Sequence, residues 1–153
     1  MPHTPKFCLP LTVRFSDTDA NGHVFFGNFL TYCDMALLAY LKRVGYGFDR
    51  FVANGQNLYY AEALTRFKAA AYFDQILDVF VAPPDFGHTS FKIDFSMFER
   101  TSRQLVNTGH IVAVVVDSQT GRPVPVPETF KKGVAAFETA DADGDSPESD
   151  IHR

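Results

Sequence analysis

The segment Arg14-Phe15-Ser16-Asp17-Thr18-Asp19-Ala20-Asn21-Gly22-His23-Val24 gathers two carboxylates, an imidazole and a glycine just ahead of a helix-forming run. The start of a helix presents backbone N–H groups without intrahelical partners and a positive partial charge. Such an end can hold the oxygen of a polarised carbonyl. A carboxylate beside it can attack that carbonyl or activate a water toward it. These parts suit hydrolysis or acyl transfer, and their spacing alone specifies no more. Asp17 reads as structural, bonding loop amides, since Asp is favoured in turns. His23 has two readings: it assists a proton transfer or orients Asp19, or it supports the loop by hydrogen bonding. Arg14 either pairs with Asp17 or Asp19 or sits on a solvated strand face.

The elements that must position these residues follow from periodicity. Leu11 to Ser16 alternates as a half-buried strand. The loop from Asp17 to Asn28 carries Val24, Phe25 and Phe26, so it should pack against something. From Phe29 to Val44 the pattern is helical, with Asn28 as N-cap and Gly45 as the C′ residue. Asp34 is its only charge before Lys42, so the helix is expected to be buried on most sides. Leu58 to Lys68, Ile76 to Ala82, His88 to Glu99 and Leu105 to Asp117 read as strands, joined by hairpin connections at Arg100 to Arg103 and Ser118 to Arg122. Pro123, Pro125 and Pro127 exclude a central strand there. Glu128 to Phe137 is a short closing helix that Gly133 interrupts. This order implies an α+β domain, an antiparallel sheet around one long helix, over residues 1–138. Residues 139–153 are acidic and polar and read as a mobile tail.

Composition narrows the function classes. The chain has 153 residues and a formal net charge of -4, which argues against a nucleic-acid binder. Its 16 Phe and 6 Tyr can fill a core and also line an apolar pocket. Cys8 and Cys33 are expected as reduced thiols. His3, His23, His88, His110 and His152 lack metal-ligand spacing, so no metal site is expected. No apolar run is long enough to span a bilayer, and the expected location is the cytoplasm.

Asp17-Thr18-Asp19-Ala20-Asn21-Gly22-His23-Val24, followed by Asn28-Phe29-Leu30-Thr31-Tyr32, resembles the signature of the 4-hydroxybenzoyl-CoA thioesterase-like family of hot-dog fold proteins. The resemblance extends more weakly through Leu58 to Phe80 and Gly121 to Pro127. It implies an acyl-CoA thioesterase in which Asp19 is the catalytic carboxylate, as nucleophile or general base, and the backbone N–H of Phe26 polarises the thioester carbonyl. His23 takes a supporting role. It also implies a site built at a subunit interface, hence a homodimer or homotetramer, and no cofactor, coenzyme A being part of the substrate. Phe25-Phe26 stands where many relatives have Asn-Asn, and Phe29 where many have Tyr. Phe25 and Phe29 are therefore expected to contact a bulky apolar or aromatic acyl group. Arg66, Lys68, Arg100 and Arg103 are candidates for the coenzyme A phosphates, and Glu62 is a second carboxylate that reads better as a solvent-facing strand residue. The alternatives are a thioesterase for acyl carrier protein and a non-catalytic hot-dog domain that binds acyl ligands.

Overall fold

The chain leaves β1 (Phe7–Thr12) earlier than its alternation predicts, because Arg14 and Asp17 bond one another and coil Phe15–Asp17 into a single 3-10 turn. The computed structural model describes residues 4–140. Pro10 is tolerated inside β1 because that strand is an edge, paired with β3 alone. The long helix α1 spans Asn28–Arg43 and is followed by Gly45 at φ 80°, the left-handed residue that the pattern called for. A short helix α2 (Phe48–Ala53), which periodicity over six residues is too short to reveal, buries Phe51. The strands β2 (Gln56–Phe67), β3 (Ile76–Val81), β5 (Ser90–Glu99) and β6 (Leu105–Asp117) lie within a few residues of the expected spans, and a two-residue β4 (Asp85–Phe86) pairs with β5. Helix α3 (Glu128–Thr139) closes the described chain. Its last turn takes in Thr139, the first residue of the expected tail. Residues 141–153 of the expected tail lie outside the described residues.

All strand pairs are antiparallel, in the order β1-β3-β5-β6-β2. Strand residues alternate as the period-2 pattern requires. Leu77, Val79 and Val81, Phe91, Ile93, Phe95 and Met97, and Ile111, Ala113 and Val115 point inward and are buried. Against them lie Phe29, Tyr32, Cys33, Ala36, Leu37, Tyr40 and Leu41 of α1. Each buried Val, Leu, Ile, Phe or Met among them contributes on the order of 1.5–3 kcal/mol, which fixes α1 along the sheet.

Helix α3 runs unbroken through Gly133. A Cβ there would meet the Val44 carbonyl oxygen at 2.3 Å, so this glycine permits a close backbone approach rather than ending the helix. Phe130 of α3 packs into Tyr46, Phe51 and Phe91, with ring centroids 5.2–5.6 Å apart.

One side of the molecule departs from the expected burial. Leu30, Met35 and Leu38 of α1 are exposed. Tyr59, Tyr60 and Phe67 on the edge strand β2 are exposed as well, as are Phe25 and Phe26 ahead of α1. The apolar helix is thus buried on its sheet side only, and a largely apolar face runs from its start along β2. No helix among the described residues is long and apolar enough to cross a membrane.

Candidate active site

Asp17 ties β1, the loop and α1 together. Its carboxylate accepts from the Arg14 guanidinium at 3.0 Å, the Arg14 backbone N–H at 3.0 Å and the Tyr32 hydroxyl at 2.9 Å. Its carbonyl accepts from the Asn28 side-chain amide and the Phe25 N–H, both at 2.9 Å. Asn28 is therefore the first residue of α1 rather than its N-cap; its side chain is spent on Asp17, and Gly27 caps the helix. Burial pushes the Asp17 carboxyl pKa up, but the Arg14 and Tyr32 hydrogen bonds and the Arg14 charge outweigh it, and the net pKa lies below the ordinary value. Folding stability carried by this group is thus present above the unfolded carboxyl value and lost as pH falls through the folded one. Asp17→Ala is expected to cost about 1–3 kcal/mol near pH 7, the range for stripping buried hydrogen bonds. Urea denaturation should show that gap to wild type closing below about pH 4.

Asp19 opens a tight turn. Its N–H donates to His23 O at 3.0 Å, its carbonyl accepts from Gly22 N–H at 2.9 Å, and Gly22 supplies the φ of 82° that the turn requires. Its Oδ1 accepts from Asn21 N–H at 2.8 Å, while Oδ2 has no partner among the described residues. Asp19 as a whole is half-buried, and the bond its carboxylate accepts lies at the surface. His23 does not bond to it. The imidazole lies edge-on to Tyr72 with Nδ1 3.3 Å from Val24 O, and its backbone bridges Tyr72. These contacts tie His23 to its own loop and to Tyr72.

The next residues form the helix entry. Phe25 O accepts from Asn28 N–H, and Phe26 O from Phe29 N–H. The N–H groups of Phe26 and Gly27 have no partner among the described residues. Two open donors thus stand at the positive end of α1, within eight residues of Asp19. Phe25 and Phe26 stack at 4.8 Å, and Phe26 meets Phe67 of β2 at 6.2 Å. Phe29 is buried, packing on Tyr32 and Phe67, so it backs this aromatic wall instead of lining it. Phe67, half-exposed, stands beside Phe26 instead, and local periodicity carries no sign of this because strand register forty residues away decides it. Glu62 lies on the outer face of the sheet, 2.7 Å from His110 Nε2 and away from the loop. Arg100 is committed to Asp78 at 2.8 Å, whereas Arg66, Lys68 and Arg103 form no ion pair among the described residues. A depression of about 660 Å³ at the β5–β6 hairpin, floored by Phe73, Gln75 and Ile76, takes in neither Asp19 nor Phe26. No three metal-ligating side chains converge among the described residues.

Open amides at a helix start, in one loop with a carboxylate, are equipment for attack on an acyl carbonyl. The model of the thioesterase-like superfamily matches residues 13–134, four fifths of the chain, including the whole loop and α1. The chain belongs to the thioesterase-like superfamily. It has the family's hot-dog fold and its general activity, thioester hydrolysis. A 1,4-dihydroxy-2-naphthoyl-CoA hydrolase of Thermosynechococcus vestitus is 28% identical over 128 residues, covering 82% of this chain and 86% of that relative. A 1,4-dihydroxy-2-naphthoyl-CoA thioesterase from Synechocystis superposes with a TM-score of 0.81 at 21% identity, covering 88% of this chain and 98% of that one. A gentisyl-coenzyme A thioesterase gives a TM-score of 0.75 at 21% identity, covering 84% and 99%.

Proposed function

We propose that this protein hydrolyses aromatic acyl thioesters of coenzyme A as a homodimer or a pair of such dimers, with Asp19 as its catalytic carboxylate. The observation that carries this reading is that one short loop holds both the Asp19 turn and the open Phe26 and Gly27 amides at the start of α1, where Phe25, Phe26 and Phe67 form a ring wall. The thioester carbonyl oxygen accepts from the Phe26 N–H, where negative charge develops as the carbon becomes tetrahedral. Asp19 Oδ2 attacks that carbon, or takes a proton from the water that does. The C–S bond breaks, coenzyme A leaves as thiolate, and water supplies the OH of the free acid. The aromatic acyl group is supported by the ring wall and by the named substrates of the similar proteins.

In a single chain this site lies open, and an edge strand rich in exposed aromatic residues invites pairing. A second copy laid along β2 covers Tyr59, Tyr60 and the Phe26–Phe67 wall and excludes water from the thioester.

A free-thiol release assay over aromatic, short-chain and long-chain acyl-CoAs tests the reading. Aromatic substrates are expected to exceed short aliphatic ones in kcat/KM by at least about tenfold, a difference of some 1.4 kcal/mol in transition-state binding. Light scattering should give at least two chains per particle. Release from none of these substrates sinks the proposal, and preference for carrier-protein-bound acyl groups replaces coenzyme A with the carrier.

A further inference from the structure

Asn107 of β6 is fully buried on the inner face of the sheet, opposite Phe67 of β2 on one side and Met97 of β5 on the other. The next inward residues along β6, Gly109, Ile111, Ala113 and Val115, are all apolar. The Thr65 hydroxyl donates to Asn107 Oδ1 at 2.9 Å. The other end, Nδ2, has no hydrogen-bond partner among the described residues. A buried N–H group without an acceptor is destabilising, and a leucine of similar shape would fill the position without that penalty. Packing therefore does not account for an amide at 107.

Its surroundings offer an account. Residues directly opposite on neighbouring strands have Cβ atoms about 5 Å apart, so Asn107 lies one side chain behind Phe67. The Phe67 ring meets Phe26, which carries the open N–H, and Phe29 beneath it. Phe67 is 52% exposed and is the last residue of an edge strand, so its ring can turn toward solvent. We propose that Asn107 Nδ2 is the polar anchor of the acyl pocket, donating to an oxygen on the aromatic ring of the acyl group once Phe67 turns aside. Asn107 is then a specificity-determining residue that selects oxygenated rings over plain ones. This rests on the thioesterase reading above for the place of the acyl group.

The test compares wild type with Asn107→Leu on matched aryl-CoAs with and without a ring hydroxyl, and on the corresponding free acids by calorimetric titration. Wild type should favour the hydroxylated member of each pair. Asn107→Leu should lower kcat/KM and affinity for that member about tenfold or more, leave the plain member within twofold, and melt no lower than wild type. A hydroxyl-to-plain ratio equal in the two proteins overturns the proposal, and it is also the result expected if Nδ2 merely holds a resident water. A hydroxyl preference in acid binding that depends on Asn107, without thiol release by wild type, would retain the anchor and remove the hydrolytic reading. Hydrolysis with an unchanged ratio would do the reverse.

Discussion

Asp19→Asn is expected to fold and melt like wild type while losing on the order of a thousandfold in kcat on acyl-CoA, within the 10²–10⁴ range for removing a positioned acid–base group. The structural half of this expectation follows from how Asp19 is held. Its Oδ1 accepts from Asn21 N–H, and an asparagine Oδ1 accepts the same bond. The backbone bonds to His23 and Gly22 are indifferent to the side chain. The chemical half concerns Oδ2, the atom without a partner. In asparagine it becomes an NH₂, which can neither attack a carbonyl nor accept a proton from water. The Phe26 and Gly27 amides remain, so a residual rate over the uncatalysed reaction should persist. KM should change little, because a neutral amide of the same shape leaves the aromatic wall in place. Initial rates of thiol release and a calorimetric melt on the same preparation check both halves. Unaltered kcat with an unaltered melt would mean that hydrolysis runs through another group.

What the sequence made legible is what short-range chemistry decides. Asp19 and Phe26 are seven positions apart, and the turn, the open amides and the helix start that relate them are all local. Strand β5 announces itself by alternation and β6 by its β-branched content, and Leu105–Asp117 matches its expected span at both ends. Local rules failed where a tertiary partner claimed a group. Asn28 has the right side chain for an N-cap, but the Asp17 carbonyl takes it. Gly133 looks like a helix breaker until the Val44 carbonyl is found where its side chain would stand. Phe29 is buried because helix phase points it inward, and Phe67, for which no site role was expected, reaches the loop through sheet register. Asn107 was unreadable for the same reason: its neighbours Thr65 and Phe67 are forty residues away along the chain. The exposure of Leu30, Met35 and Leu38 belongs to the same class, since an apolar helix does not disclose which of its faces the sheet covers.

Gly109→Ala should have the largest effect on stability of any single-methyl addition in the sheet. A Cβ at this position would stand 2.2 Å from the Leu64 carbonyl oxygen and 3.2 Å from both the Leu64 carbonyl carbon and the Thr65 Cα. All three are backbone atoms of β2, so no rotamer change can relieve the overlap, and the strand must move away from β6. Overpacking of this kind costs about 3 kcal/mol, at the upper end of its usual range. For a domain of this length that corresponds to a fall in Tm of about 6–12 °C. Gly22→Ala is the control: its φ of 82° strains any L side chain, but nothing lies within 4 Å, so it should cost about 1 kcal/mol. The consequences of moving β2 go beyond the melt. That strand carries the Tyr60 hydroxyl bond to Asp34 of α1, the Thr65 bond to Asn107 and the Phe67 ring against Phe26. A displacement near 1 Å at such a wall is enough to cost about a hundredfold in turnover. Gly133→Ala meets an equally close backbone oxygen, at 2.3 Å, but in the α1–α3 contact remote from this strand. It should lower Tm comparably and leave kcat/KM of the folded fraction near wild type. Thermal melts, light scattering and thiol release on the pair separate the two cases, because only β2 is at once an edge of the sheet, the carrier of the exposed aromatic face and a wall of the site.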